Sequence, residues 1–255
     1  MEALAFELKG KTAFFKKPDV NANVYFTYSQ IPKIALLGML GAIAGYGGYH
    51  EQKRSIQEEG PTEENQYPEF YMKQQHLQIG IVPKGDRSYF SRKIQTFNNS
   101  VGYASGEAGN NLVVKEQWLE HPHWTIYIAD DGSEAYQVLK EQMMNRKTTF
   151  VPYLGKNDHP ADIHAVRIVH LQSPNEVERI HSLFQATDAE LGGFARITKK
   201  NQEKGYFYRE NLPYSLDEKL NSYVFKEMIC TNRRVKTINQ DVMLSEVEDR
   251  IVSFY

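Results

Sequence analysis

The sequence predicts an α+β protein built on a ferredoxin-like (RRM-like) βαββαβ domain. Three observations point that way. Four segments alternate apolar and polar residues with period two. Two helix-patterned segments lie between them. A long polar excursion bounded by two β-rich arms interrupts the series. In chain order this reads strand, helix, strand, hairpin, strand, helix, strand. One antiparallel sheet with two helices on one face satisfies it, followed by a smaller, mostly β C-terminal part.

The first strand covers 3–9, where Leu4, Phe6 and Leu8 alternate with Ala5 and Glu7. A polar loop over 10–30 carries Lys16, Lys17 and Pro18. Pro32 stands where a helix begins easily, because its missing N–H is an orphan there anyway. Residues 33–45 are apolar almost all round, the pattern of a buried helix, and Gly38, Gly41 and Gly45 thin one of its faces. Residues 51–69 hold six acidic and two basic residues, a net charge of -4, with Pro61 and Pro68. A surface insertion is expected there.

The second strand is expected at 76–82, with Leu77, Ile79 and Ile81 on one face. Residues 83–122 hold four glycines, two Asn pairs and the arms 89–97 and 111–118. That is an extended hairpin at about 84–122, and excursions of such length are usually functional or disordered. The third strand covers 124–129. Asp131 with Glu134 makes a capping-box pattern ahead of a helix at 133–145, striped by Ala135, Val138, Leu139 and Met143. A turn-rich loop over 150–162 leads to the fourth strand at 163–171, with Val166 and Ile168 inward.

The first domain is thus expected over 1–172 and a smaller helix-plus-strands region over 173–255. Ser173-Pro174-Asn175-Glu176 reads as a helix start, with Val177, Ile180, Leu183 and Phe184 as the apolar stripe. Short strands are expected at 194–198, 205–209, 224–230 and 234–238, and the tail 250–255 is apolar enough to dock.

Composition narrows the function classes. The chain has 255 residues, 41% hydrophobic and 24% charged, which excludes a wholly disordered chain, a collagen and a coiled-coil rod. A net charge of -2 excludes a uniformly basic nucleic-acid binder, so any such surface must be a local patch. Cys230 is the single cysteine, so no intrachain disulfide and no cysteine-based zinc site is expected. No basic region precedes an apolar stretch at the start, and the run 34–46 is shorter than the roughly 20 apolar residues of a membrane span. A cytoplasmic protein with no membrane partner is expected.

Several groups bear on chemistry. His121-Pro122-His123 and the set His159, Asp162, His164 and His170 suit a metal only if they converge in space. Histidines at turns and strand edges are the competing and favoured reading, and no metal or cofactor is expected. The glycines of 45–49 follow a helix, whereas phosphate loops follow a strand, so this stretch reads as a helix C-terminus. Residues 84–118 hold Lys84, Arg87, Arg92, Lys93 and Lys115 among five aromatics, for a net charge of +2. Cations neutralise phosphates and aromatics stack on unpaired bases. A solvated hairpin whose aromatics pack on the sheet is the alternative. A second basic run, 196–209, has a net charge of +4 and reads as a solvated face.

Several ordered stretches resemble the Cas-five family of CRISPR-associated proteins. They are FELKG at 6–10, FFKKP at 14–18, PKIALLGMLGAIAGY at 32–46, RKIQTFNNS at 92–100, VKEQWL at 114–119 and VPYLGKNDHPADI at 151–163. Together they span roughly residues 1–165, about two-thirds of the chain, in the style of the type I-B branch. The resemblance implies a RAMP-superfamily fold in which the hairpin is a thumb. It also implies a non-catalytic subunit that caps the 5′ handle of the CRISPR RNA in a Cascade antiviral ribonucleoprotein complex. Its partners would be a backbone subunit and the large subunit, with target DNA reached only through the complex.

On that resemblance Lys16 and Lys17 would meet handle phosphates. Arg92, Lys93, Gln95, Thr96, Asn98 and Asn99 would contact backbone and base edges, flanked by Lys115, Gln117 and Trp118. Tyr153, Gly155, Lys156 and Asn157 match the family's glycine-rich segment. One branch of the family, in type I-C systems, is itself a metal-independent endoribonuclease that processes the CRISPR RNA precursor. Tyr46 and Lys115 fall near its functional groups, but position 116 is Glu where that branch has a histidine. An endoribonuclease and a scaffold with little RNA contact are the two rival readings.

Overall fold

The computed structural model describes residues 1–18, 23–98, 106, 112–195 and 203–255. The chain runs β1 (Glu2–Lys9), β2 (Thr12–Ala13), α1 (Lys33–Ala44), α2 (Tyr49–Glu59), α3 (Glu69–Gln74), β3 (Ile79–Pro83), β4 (Arg92–Asn98), β5 (Val113–Glu120), β6 (His123–Ala129), α4 (Glu134–Met144) and β7 (Asp162–His170). The C-terminal part adds β8 (Phe184–Gln185), β9 (Ala189–Phe194), β10 (Phe207–Leu216), β11 (Tyr223–Thr231), β12 (Arg233–Ile238), β13 (Met243–Val247) and β14 (Arg250–Phe254). It is a mixed α+β fold dominated by antiparallel sheets.

The central sheet has the order β3-β6-β1-β7, every neighbouring pair antiparallel. Its register aligns Leu4 and Ile79 with Ile128, Phe6 and Ile81 with Ile126, and Leu8 with Trp124. Those side chains share one face by the period-two geometry of a strand, and that face meets the helices. Leu36, Leu37, Leu40 and Ile43 of α1 pack there with Tyr136, Leu139 and Met143 of α4. Leu183, Leu212, Leu216, Met228 and Cys230 join the same cluster from the C-terminal part.

The opposite face is also buried. Ala3, Ala5, Tyr127, Ala129 and Val169 pack against Val247, Val252 and Phe254 of the β13–β14 hairpin. A Cβ on Gly80 would overlap Val252 Cγ1, so a glycine is what lets the hairpin lie this close. Burial on both faces explains why β6 reads as a nearly continuous apolar run.

Helix α1 ends at Gly45, left-handed at φ 90°, as the glycines of 45–49 led one to expect. Gly41 faces α3, where a Cβ would strike the side chain of Phe70 and stand 3.1 Å from Gln74 Nε2. The thinned face is therefore where α3 docks. The acidic stretch is more ordered than a plain insertion: it holds α2, a 3-10 turn and the start of α3, whose Phe70, Tyr71 and Gln74 are buried. The cap of α4 is Ser133, which accepts from Tyr136 N at 3.2 Å, rather than Asp131.

One expectation is overturned. Residues 173–183 form no helix; the stretch before β8 is irregular. Its backbone is satisfied by neighbours instead: Leu183 N donates to Ile81 O at 2.8 Å, His181 N to Ile251 O at 2.8 Å, and Ser182 Oγ accepts from Ser253 N at 2.8 Å. Ile180 and Phe184 pack with Ile229. Tertiary hydrogen bonds to β3 and β14 outcompeted a short isolated helix, which is marginal on its own. Among its described residues the C-terminal part is therefore not helix-plus-strands but strands joined by irregular segments.

Candidate nucleic-acid interface

Strands β4 and β5 form the long hairpin, with β2 pairing the base of β5. Directly opposed residues of an antiparallel pair share a face. The pairs Arg92–Leu119, Ile94–Gln117, Thr96–Lys115 and Asn98–Val113 therefore make one face, and Lys93–Trp118, Gln95–Glu116 and Phe97–Val114 the other.

The first face is open beyond its base, where Leu119 is buried in the core. Arg92, Ile94, Thr96, Asn98, Val113 and Lys115 are all exposed. Arg92 Nη2 hydrogen-bonds Ser29 Oγ at the base of the hairpin. Lys115 has no ion pair among the described residues. The face combines two cations, hydroxyl and amide groups and exposed aliphatic side chains, which suits phosphates and base edges together.

The second face is covered by the loop at 151–161. Trp118 stands edge-on to His159 with ring centroids 4.6 Å apart, and its Nε1 donates to Glu116 Oε2 at 2.8 Å. Glu116 is buried and also takes Lys156 Nζ at 3.3 Å. Lys156 lies over the ring of Phe97 and pairs with Asp158 at 2.9 Å. Burial opposes the Lys156 charge, but the hydrogen bonds to Asp158 and Glu116 outweigh it, so its pKa rises. Burial pulls His159 below its usual pKa, and its Nδ1 lies 2.7 Å from Thr12 Oγ1.

The loop is folded back on itself, with Leu154 N donating to His159 O and Ala161 N to Pro152 O. Tyr153 and Asn157 are exposed on it. Gly155 is left-handed at φ 87°, and its close approach is to the backbone of Phe14.

The candidate residues thus divide. Arg92, Thr96, Asn98, Lys115 and Gln117 share the open face, while Lys93, Gln95, Trp118 and Lys156 line the covered one. Lys16 lies 3.9 Å over the ring of Tyr25, whose backbone joins β5 at Lys115 and Gln117. Lys17 turns away to Glu210 at 2.6 Å. Asn99 lies outside the described residues. Sequence reasoning assigned none of Tyr25, Glu116 and His159 to this interface. Period two around Lys115 places Glu116 inward, which is a usable signal; the contact of His159 with Trp118 has none.

His123 and His164 come together, with ring centroids 6.2 Å apart, but no group of three His, Cys, Asp or Glu side chains that could hold a metal ion occurs among the described residues. His123 Nε2 lies 2.6 Å from Glu7 Oε2, and His164 Nδ1 lies 3.8 Å from Asp162 Oδ1, away from the Thr12 and Trp118 partners of His159. Tyr46 follows α1, its hydroxyl buried with no hydrogen-bond partner among the described residues, and burial raises its pKa, reinforced by Glu134 and Glu69.

No protein-family model matches this sequence, and no curated protein matches it. Solved structures do. The chain is similar to one titled "CRISPR RNA-guided surveillance complex", 15% identical over 92% of each chain with a TM-score of 0.51. A CRISPR protein from Archaeoglobus fulgidus is 12% identical over 99% of this chain and 98% of that one, at a TM-score of 0.48. A chain of a type III-B Cmr-beta complex bound to cognate target RNA and AMPPnP is 10% identical over 92% and 86%, at 0.45. At such identities the likeness is one of fold. The class is an α+β protein of antiparallel sheets. More particularly, its fold is similar to that of the chain titled "CRISPR RNA-guided surveillance complex".

Proposed function

We propose that this chain is a non-catalytic subunit of a type I-B Cascade complex that binds and caps the 5′ handle of the CRISPR RNA. The observation that carries the proposal is the open face of the β4–β5 hairpin, where Arg92, Thr96, Asn98 and Lys115 stand together and exposed. The strand order β3-β6-β1-β7 with α1 and α4 on one face supports a ferredoxin-like domain over 1–172. The likeness to a surveillance-complex chain supports a CRISPR-associated role. The hairpin is then the thumb, holding RNA against a backbone subunit while the large subunit docks beside it. Guide base pairing reads the target, and the protein reads the shape and backbone of the handle.

The test is co-purification. The tagged chain is expressed with its neighbouring genes and a CRISPR array, and retained RNA is sequenced. Uniform CRISPR RNAs with a shared 5′ handle are expected, lost in Arg92→Ala with Lys115→Ala. Retention of partners and RNA by that variant would establish the scaffold reading instead. Purified chain incubated with repeat RNA in EDTA should leave it intact; cleavage abolished by Tyr46→Phe would make the chain an endoribonuclease.

A further inference from the structure

A second cluster of cations lies off the hairpin. The turn between β3 and β4 faces residues 179–181, 203–206 and the start of β14 across an open cavity of about 620 Å³. That is within the size range of small-molecule sites. No residue of β4 or β5 lines it. Lys84, Arg87, Arg179, Lys204 and Arg250 do, with His181, against two carboxylates, Asp86 and Glu203.

Both carboxylates are engaged: Asp86 pairs with Arg87 at 3.1 Å, and Glu203 with Arg179 at 3.0 Å. Lys84, Lys204 and Arg250 have no ion pair among the described residues. Arg179 is fixed from one side, Nη1 donating to Glu203 and Nη2 to Tyr206 Oη at 3.0 Å. His181 Nδ1 accepts from Ile251 N at 3.0 Å, so the neutral ring carries its proton on Nε2 and is a donor. Burial, aided by Arg179, keeps that ring neutral.

The turn is also held in an unfavourable backbone shape. Arg87 (φ 51°) and Ser88 (φ 60°) are consecutive left-handed residues with side chains. Ser88 is clamped by Gln30 Nε2 on its carbonyl at 2.7 Å and by Cys230 Sγ at 3.0 Å from its hydroxyl. Gln30 is in turn held by the buried Trp124, whose Nε1 donates to Gln30 Oε1 at 2.8 Å. Strain of this kind persists only where the surroundings over-determine it, and it clusters at binding sites.

We infer that this cavity binds a phosphate-bearing ligand, a site separate from the hairpin and independent of the hairpin's role. Three cations without an ion pair among the described residues, a guanidinium whose Nη2 keeps a second N–H beyond its bond to Tyr206, and a neutral imidazole donor are the groups that take up phosphate oxygens. The source is either the backbone of an RNA or a free polyphosphate such as a nucleotide tail.

Two probes on the full chain separate these: inorganic pyrophosphate by titration calorimetry, and a short fluorescein-labelled single-stranded RNA by anisotropy. The variant is Lys84→Ala, Lys204→Ala and Arg250→Ala together, side chains whose loss breaks no ion pair and should leave the melting temperature unchanged. Pyrophosphate binding that is lost in the variant while RNA affinity stays supports a free-polyphosphate site. RNA affinity about tenfold weaker in the variant, with a salt slope shallower by about 2, supports the RNA backbone as ligand. Unchanged RNA affinity together with absent or unaltered pyrophosphate binding overturns the proposal. Arg92→Ala with Lys115→Ala is measured alongside. RNA loss confined to that variant, with pyrophosphate unaffected by the cavity variant, leaves the hairpin reading standing alone. Loss confined to the cavity variant does the reverse.

Discussion

The carbonyl oxygen of Phe14 occupies the space where a Cβ on residue 155 would stand. Gly155 is left-handed at φ 87°, and Phe15 Cδ1 would lie 2.9 Å from the same Cβ. The loop at 151–161 reaches the segment after β2 only because this residue has no side chain. Gly155→Ala combines left-handed strain of about 1–2 kcal/mol with a backbone clash. A loss of roughly 2 kcal/mol or more is expected, which lowers Tm by about 4–8 °C in a chain of this size. Scanning calorimetry checks it, and an unchanged Tm would mean the loop does not need this approach.

The two faces of the hairpin should respond differently to mutation. Trp118→Ala removes a ring packed on His159 and an indole bonded to Glu116, so about 2 kcal/mol of stability should go with it. Lys115→Ala lies on the open face and should stay within about 0.5 kcal/mol of wild type. It should instead weaken RNA binding and make the salt slope shallower by about 0.7, the share of one single-strand phosphate contact. Urea titration and anisotropy at several salt concentrations measure both. A Lys115→Ala variant with an unaltered slope would sink the phosphate contact.

Lys33 is buried at the start of α1 beside the rings of Tyr214 and Tyr255, and burial lowers its pKa to about 8. Between pH 8 and 10.5 the unfolded chain binds more protons there than the folded one, so this group's contribution to stability rises with pH through that window. At neutral pH the folded state carries a desolvated ammonium. Lys33→Met should therefore stabilise the protein at pH 7 by up to about 3 kcal/mol. The advantage should shrink as pH climbs past 8 toward 10.5, read from urea midpoints across that range. A constant difference between the two proteins would argue against a charged, buried Lys33.

Glu248 holds Arg167 by two parallel hydrogen bonds of 2.8 Å and accepts from Tyr127 Oη at 2.9 Å. The Arg167 bond is the main cause that holds its pKa below the ordinary 4.5. A depressed carboxylate contributes stability above its unfolded pKa and loses it as pH falls through the folded value. Glu248→Gln should be less stable than wild type at pH 7, and the gap should close below pH 4.5. Thermal melts at pH 3 and pH 7 decide it; a gap that persists in acid would assign the loss to packing.

Glu248 and Asp249 also form the two-residue turn between β13 and β14, both left-handed at φ 49° and 60°. Such turns favour glycine at the second position. Asp249→Gly should raise stability by up to about 1 kcal/mol, measured by urea denaturation, if the turn keeps this geometry.

Local pattern alone determined several elements of the first two-thirds of the chain, though not β2, α2 or α3. Alternation at Leu4, Phe6 and Leu8 marks β1, the apolar run from Ile34 marks α1, and period two in β4 and β5 marks the hairpin arms, each within a few residues of its observed bounds. These signals survive because each element buries the face its own sequence makes apolar. The resemblance motifs likewise placed Arg92, Thr96 and Lys115 together, since a hairpin register follows from its two arms.

What tertiary structure decided is where long-range partners compete with local preference. Val177, Ile180, Leu183 and Phe184 repeat at helical spacing, yet hydrogen bonds to Ile81 O and Ile251 O and from Ser253 N hold residues 181–183 in a non-helical path. Trp118 reads as a stacking platform until His159, some forty residues away, comes to its edge. The cation cavity gathers Lys84, Arg179, Lys204 and Arg250 from four distant segments, with no spacing to announce it. Periodicity reports which face of an element is buried; it carries no information about what arrives to bury it, because that contact energy belongs to residues far along the chain.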